Sequence, residues 1–189
     1  MKYSGTYCAS LTPLNKDYSI NHDVFFDHCN KLLEEGADGI AIFGTTGEAN
    51  LLTLEEKMEA IQSLIDKGFN PLKLLPGTGV ASMNESIKLS TYVKGLQIPC
   101  AIILPSFYYK NPSDQGVVDY YSNIVENIND KQFKVLLYHI PQVSGVSINL
   151  NIIENLIRKY PDNIVGIKDS SNYLNNMTET IINFPDFCV

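Results

Sequence analysis

Short apolar runs alternate with amphipathic stretches along the whole chain, and this rhythm constrains the fold more than any single motif does. The apolar runs fall at residues 3–11, 39–43, 72–75, 100–104, 133–138 and 164–167. Each is short enough for a strand buried on both faces. Between and after them, residues 22–35, 53–67, 82–94, 114–127, 150–160 and 173–183 carry helical periodicity. Phe187, Cys188 and Val189 read as the opening of one more strand. The chain thus contains six strand–helix units and the start of a seventh, with no low-complexity stretch and no linker.

Local signals agree with these boundaries. Gly36 stands where a helix C-terminus favours glycine. Thr53 with Glu56, and Ser82 with Glu85, have the spacing of capping boxes. Strict alternation implies a parallel sheet covered by helices. Two architectures fit: an open doubly wound sheet, or a TIM (β/α)8 barrel cut short. Polar segments rich in Gly, Thr and Tyr follow several of the strands. They favour the barrel, whose active site is built from the loops at the strands' C-terminal ends. A complete barrel takes about 250 residues, so residues 1–189 are expected to form a single barrel domain lacking about two units. The first and sixth strands are then expected to be unpaired edges, and this stretch alone is not expected to be a good catalyst.

Composition narrows the partners. A net charge of −7 with no basic cluster argues against nucleic acid or an anionic membrane surface. No run approaches the roughly 20 apolar residues of a membrane helix, and the start shows no leader pattern. Cys8, Cys29, Cys100 and Cys188 form no CxxC or close pair, so they read as reduced thiols of a cytoplasmic protein.

Four segments carry chemistry. In Ile164-Val165-Gly166-Ile167-Lys168-Asp169-Ser170 a buried strand ends in a lysine. Desolvation opposes the ammonium and favours the amine that attacks carbonyls. The ordinary alternative is a lysine snorkelling to solvent beside Asp169. Gly44-Thr45-Thr46-Gly47-Glu48 follows the second strand. Its glycines allow a tight turn with exposed N–H groups, and its threonines add hydroxyls, a pocket suited to a carboxylate; equally, it reads as a plain polar turn. Tyr138, in Tyr138-His139-Ile140-Pro141, ends another strand, and Tyr108 and Tyr109 follow a third. A tyrosine there can relay protons or simply pack with its hydroxyl bonded. An amine for a ketone, donors for a carboxylate and a proton shuttle are the parts that Schiff-base chemistry on a 2-oxo acid requires.

In order and spacing, the GTTGE, YYKNPS, YHIP and GIKDS segments resemble the dihydrodipicolinate synthase / N-acetylneuraminate lyase family. These are pyruvate-dependent class I aldolases and lyases on a (β/α)8 barrel. The resemblance runs from Gly5 to Val189. It implies that Lys168 forms the imine with pyruvate and that Tyr138 is the general acid/base. It implies that Thr45 and Thr46, with Gly47 in the same loop, receive the pyruvate carboxylate, and that Thr45 and Thr46 link the tyrosines in a proton relay. Tyr109, or its neighbour Tyr108, matches the tyrosine that reaches into a partner subunit, which implies a homodimer or homotetramer. No cofactor is implied beyond the covalent imine.

The chain departs from that pattern in two residues. Val143 stands where the synthases of the family carry an arginine for the aldehyde's carboxylate, and a valine makes no bidentate contact. This points toward the sialic-acid lyases or 2-keto-3-deoxy sugar acid aldolases of the family, with 4-hydroxy-tetrahydrodipicolinate synthase as the alternative. His139 replaces the usual asparagine, either tuning Tyr138 or serving as a polar strand-end residue. A reading from another class is a 2-oxo acid binding relative without turnover. A metal-dependent aldolase is disfavoured, because His22, His28 and His139 do not converge.

Overall fold

The computed structural model describes residues 4–189. Tyr3, with which the first strand was expected to open, lies outside the described residues. The chain packs as two compact units. One comprises residues 5–78 and 88–101; the other comprises residues 79–87 and 102–189, together with residue 4.

In the first of these, strand β1 (Tyr7–Ala9) pairs in parallel with β2 (Gly39–Ala41), Tyr7 opposite Gly39 and Ala9 opposite Ala41. Helix α1 (His22–Glu34) connects them. The Asn21 side chain accepts the Val24 N–H at its start. Its end is the expected glycine stop. Gly36 has φ +106°, and the N–H groups of Gly36 and Ala37 donate to Leu33 and Leu32. Helix α2 (Leu54–Asp66) opens with both arms of the Thr53–Glu56 capping box. Its inner stripe of Leu54, Ala60, Ile61 and Leu64 is buried, and Lys57 shares that burial.

The strand expected at 72–75 is reduced to a bridge between Leu74 and Ile40. Pro71–Lys73 is a 3-10 turn instead. Pro71 presets φ and brings no N–H, and the Asn70 side chain caps the turn by accepting the Leu72 N–H at 3.0 Å. The chain becomes extended only beyond it, where Leu75 N–H donates to Ile40 O (2.9 Å) and Gly77 N–H to Ile42 O (2.8 Å).

Helix α3 (Met83–Gly95) leads to β3 (Cys100–Ile103). Strands β3, β4 (Lys134–His139) and β5 (Ile164–Asp169) form one sheet in that order. Helices α4 (Asp114–Ile128) and α6 (Leu150–Lys159) are capped by the Ser113 and Asn149 side chains, and α7 (Leu174–Asn183) follows β5. One short helix was not anticipated: α5 (Pro141–Ser144), closed by Gly145 at φ +68°. Tyr121 of α4 is fully buried, and its hydroxyl donates to Ile103 O at 2.8 Å.

The outer edge of β5, expected to stand unpaired, is bonded. Cys188 N–H donates to Val165 O (3.0 Å) and Ile167 N–H to Cys188 O (2.7 Å). The strand expected to open at 187–189 is thus present as a parallel bridge to Gly166. No helix among the described residues is long and apolar enough to cross a membrane.

Candidate active site

The site is built where β4 and β5 end. Both strands are apolar and largely buried, and their parallel register places Tyr138 opposite Lys168 and His139 opposite Asp169. Side chains alternate faces along a strand, so one face of this pair carries the tyrosine and the lysine, and the other carries the histidine and the aspartate. Tyr138 is buried and Lys168 half-buried, with the lysine Nζ 4.5 Å from the centroid of the Tyr138 ring. That distance lies within cation–π range.

Lys168 forms no ion pair with its neighbouring aspartate. Among the described residues no carboxylate lies within ion-pair reach of its amine. Asp169 is engaged elsewhere: Oδ1 accepts the N–H (2.8 Å) and hydroxyl (2.6 Å) of Ser171, and Oδ2 accepts the Asn176 amide (2.6 Å). Partial burial opposes its charge, but these donors prevail and hold the carboxyl below the usual aspartate value.

His139 is buried, and its Nδ1 accepts the Ile148 N–H at 3.0 Å. Burial lowers its pKa against the opposing pull of Asp169. An accepting Nδ1 places the proton of the neutral ring on Nε2. The ring lies on the strand face opposite Tyr138, so His139 anchors the segment after β4. That segment is held twice more: Gln142 Nε2 donates to Ser170 O (2.6 Å), and Lys110 Nζ donates to Ser144 O (2.9 Å). Val143, on α5, is 54% exposed.

In the other unit, the GTTGE loop follows β2. Phe43 enters it with φ +55°, a left-handed conformation costly for a bulky residue. Gly77 passes so close that a Cβ there would lie 2.2 Å from Phe43 O. Part of the loop's N–H set is bonded within the turn. Gly47 and Ala49 N–H donate to Gly44 O, and Glu48 N–H donates to Thr45 O. Gly47 is buried, with its carbonyl accepting the Thr12 hydroxyl at 2.8 Å. Thr45, Thr46 and Glu48 are exposed. Tyr108 and Tyr109, after β3, are 70% and 80% exposed and meet edge to face at 5.2 Å.

The structure therefore brings Lys168 and Tyr138 together, places Thr45 and Thr46 at the exposed part of a strand-end loop, and leaves Tyr109 on the surface. Sequence reasoning missed the anchoring roles of His139, Gln142 and Lys110. Their partners are backbone groups 9 to 34 residues away, for which no local pattern exists. Among the described residues no group of three or more His, Cys, Asp or Glu could hold a metal.

Comparison with known proteins agrees with this architecture. The model of the dihydrodipicolinate synthetase family matches residues 2–189. A 4-hydroxy-tetrahydrodipicolinate synthase from Methanosphaera stadtmanae is 32% identical over 178 residues, which cover 94% of this chain and 58% of that protein. The chain thus spans somewhat more than half the length of the curated relative it matches. The crystal structure of dihydrodipicolinate synthase from Agrobacterium tumefaciens superposes with a TM-score of 0.93 at 27% identity, covering 97% of this chain and 64% of that one. A Ruminococcus gnavus sialic acid aldolase shares the fold, with a TM-score of 0.86 at 18% identity over 96% of this chain and 58% of that one. The fold is that of a TIM (β/α)8 barrel, truncated here after about six units. By its motifs, its strand-end geometry and the family match across its length, the chain belongs to the dihydrodipicolinate synthetase family.

Proposed function

We propose that the complete protein is a Schiff-base-forming lyase or aldolase. It joins pyruvate to an aldehyde, or cleaves a 2-keto-3-deoxy sugar acid in the reverse direction. The observation that carries this reading is the Lys168 amine 4.5 Å from the Tyr138 ring centroid at paired strand ends, with no ion-paired carboxylate among the described residues. The amine adds to C2 of pyruvate, and the carbinolamine loses water to give the imine. Loss of a C3 proton gives the enamine, whose C3 attacks the aldehyde carbon, and water then releases the product and restores the amine. Tyr138 is the proton carrier for these steps. On the family pattern, Thr45, Thr46 and the Gly47 turn take the carboxylate, with Thr45 also in the proton relay. Tyr109 serves a neighbouring subunit of a homodimer or homotetramer; its exposure supports that role. The chemistry needs no cofactor beyond the imine.

A second reading, 4-hydroxy-tetrahydrodipicolinate synthase, is favoured by the names of relatives near 30% identity. Val143 weighs against it, since a valine offers nothing to a second carboxylate. A third, a 2-oxo acid binding relative, would trap pyruvate without turning over an aldehyde.

The test is borohydride reduction of the complete protein with pyruvate, followed by intact mass. A single pyruvyl adduct is expected in the wild type and none in Lys168→Ala. No adduct, or one that survives the substitution, sinks the mechanism. Comparing turnover of aspartate semialdehyde with that of 2-keto-3-deoxygluconate then separates the first two readings.

A further inference from the structure

We propose that Lys110 is a positioning residue. Its ammonium cross-links the tyrosine-bearing loop after β3 to the single turn of α5 after β4, and so sets where Gln142 and Val143 stand. This rests on the reading of the strand-end lysine as the reacting group.

Among the described residues the Lys110 ammonium has two carbonyl partners and no carboxylate: Phe107 O in its own loop and Ser144 O at 2.9 Å. A lysine used for solubility has no reason to bond two backbone acceptors 37 residues apart. α5 is one turn long, so its last carbonyls have no helical donors of their own. Lys110 supplies one such donor.

Gly145 shows that the path of the lysine stem is built in. Its φ of +68° already favours glycine, and a Cβ there would fall 2.7 Å from Lys110 Cδ and 3.3 Å from Cε. Even a residue that tolerated the left-handed backbone would meet the stem. Position 145 is therefore small for two reasons, one of which is Lys110.

The remaining ties complete a suspension. Gln142 bonds Ser170 O just past β5, and Ile148 N–H bonds His139 at the end of β4. Segment 141–148 hangs from the ends of three successive strands, and Lys110 provides the β3 tie. It also ties the loop of Tyr108 and Tyr109 to the segment of Val143. A side chain that touches no reacting atom thereby controls two walls at once.

The experiment uses the complete protein and two routes to the same break. Lys110→Met keeps the stem and removes the donors; Gly145→Ala keeps the donors and displaces the stem. Amide exchange across 141–148 is expected to quicken about tenfold or more in both, with 134–139 unchanged as a control for folding. Lys110→Arg is expected to restore protection. In turnover, KM for the second substrate (aspartate semialdehyde or 2-keto-3-deoxygluconate, whichever is used) is expected to rise about tenfold. Borohydride trapping of pyruvate on Lys168 should stay at the wild-type rate. Unchanged exchange in both variants overturns the proposal, as does faster exchange with an unchanged KM. The exchange arm needs no turnover, so failure of wild-type trapping refutes the Schiff-base reading separately.

Discussion

Replacing His139 tests the anchoring of the β4 end most directly. Its Nδ1 is the acceptor for the Ile148 N–H at 3.0 Å, and both residues are buried, at 5% and 1% exposure. Leucine at 139 fills similar space but accepts nothing. The buried Ile148 N–H then loses its partner, which costs about 1–3 kcal/mol. In His139→Asn the amide oxygen can stand where Nδ1 stood, so most of that loss is avoided. The two variants therefore separate the hydrogen bond from the ring. The pH dependence adds a second handle. Burial depresses the folded-state pKa of His139 below the ordinary value near 6.5. Between those two values the unfolded chain binds more protons than the folded one, so stability rises with pH. The contribution is fully present above about pH 6.5 and is lost as pH falls through the folded-state value, with a slope of at most about 1.4 kcal/mol per pH unit. Urea unfolding of wild type, His139→Leu and His139→Asn from about pH 7.5 down to about pH 5 reads both effects. The leucine variant should be the least stable at neutral pH, and the wild-type advantage over asparagine should shrink toward acid. A leucine cost under about 0.5 kcal/mol, or parallel wild-type and asparagine curves, would refute the reasoning.

Gly77→Ala places a methyl 2.2 Å from Phe43 O and 3.0 Å from the Phe43 carbonyl carbon, both backbone atoms of an already left-handed residue. A loss of about 1–3 kcal/mol or more is expected in urea unfolding, with new protease sensitivity in the 43–49 loop; wild-type stability would contradict the packing described. Tyr121→Phe removes the donor to the buried Ile103 carbonyl, and a cost of about 1–3 kcal/mol is expected. A neutral result would mean that carbonyl finds another partner. Cys29 is buried and its thiol is pushed up to about 12, so iodoacetamide at about pH 8 should modify the half-buried Cys8 and Cys188 first. Early labelling of Cys29, read by peptide mass mapping, would show that helix α1 opens readily.

What could be read ahead of the structure was whatever the chain expresses locally. The β/α rhythm, the Gly36 stop, the Thr53–Glu56 box and the strand-end placement of Tyr138 and Lys168 depend on neighbours within a turn or a pleat. The strand at 72–75 was misread because a hydrophobic run speaks to burial, whereas Asn70 and Pro71 decided the backbone. α5 escaped notice because Pro141 and Gly145 frame only a single turn. The ties made by His139, Gln142 and Lys110 were invisible for a different reason. Each ends on a backbone atom, and backbone atoms carry no letter in a sequence. The open edge expected beside β5 came from counting units, and three residues at 187–189 were enough to pair it.

The pleat of β5 also acts as an insulator. Lys168 and Asp169 are covalent neighbours of opposite charge, yet the strand turns one toward Tyr138 and the other toward His139, Ser171 and Asn176. Distance along the chain keeps them adjacent; parity keeps them apart. A point change at either position alters one face and spares the other. A single residue deleted between Ile164 and Lys168 carries the carboxylate to the place of the amine, and a single residue inserted there carries the amine into the carboxylate's ring of donors. The strand is therefore far more vulnerable to a shift of frame in space than to a change of letter.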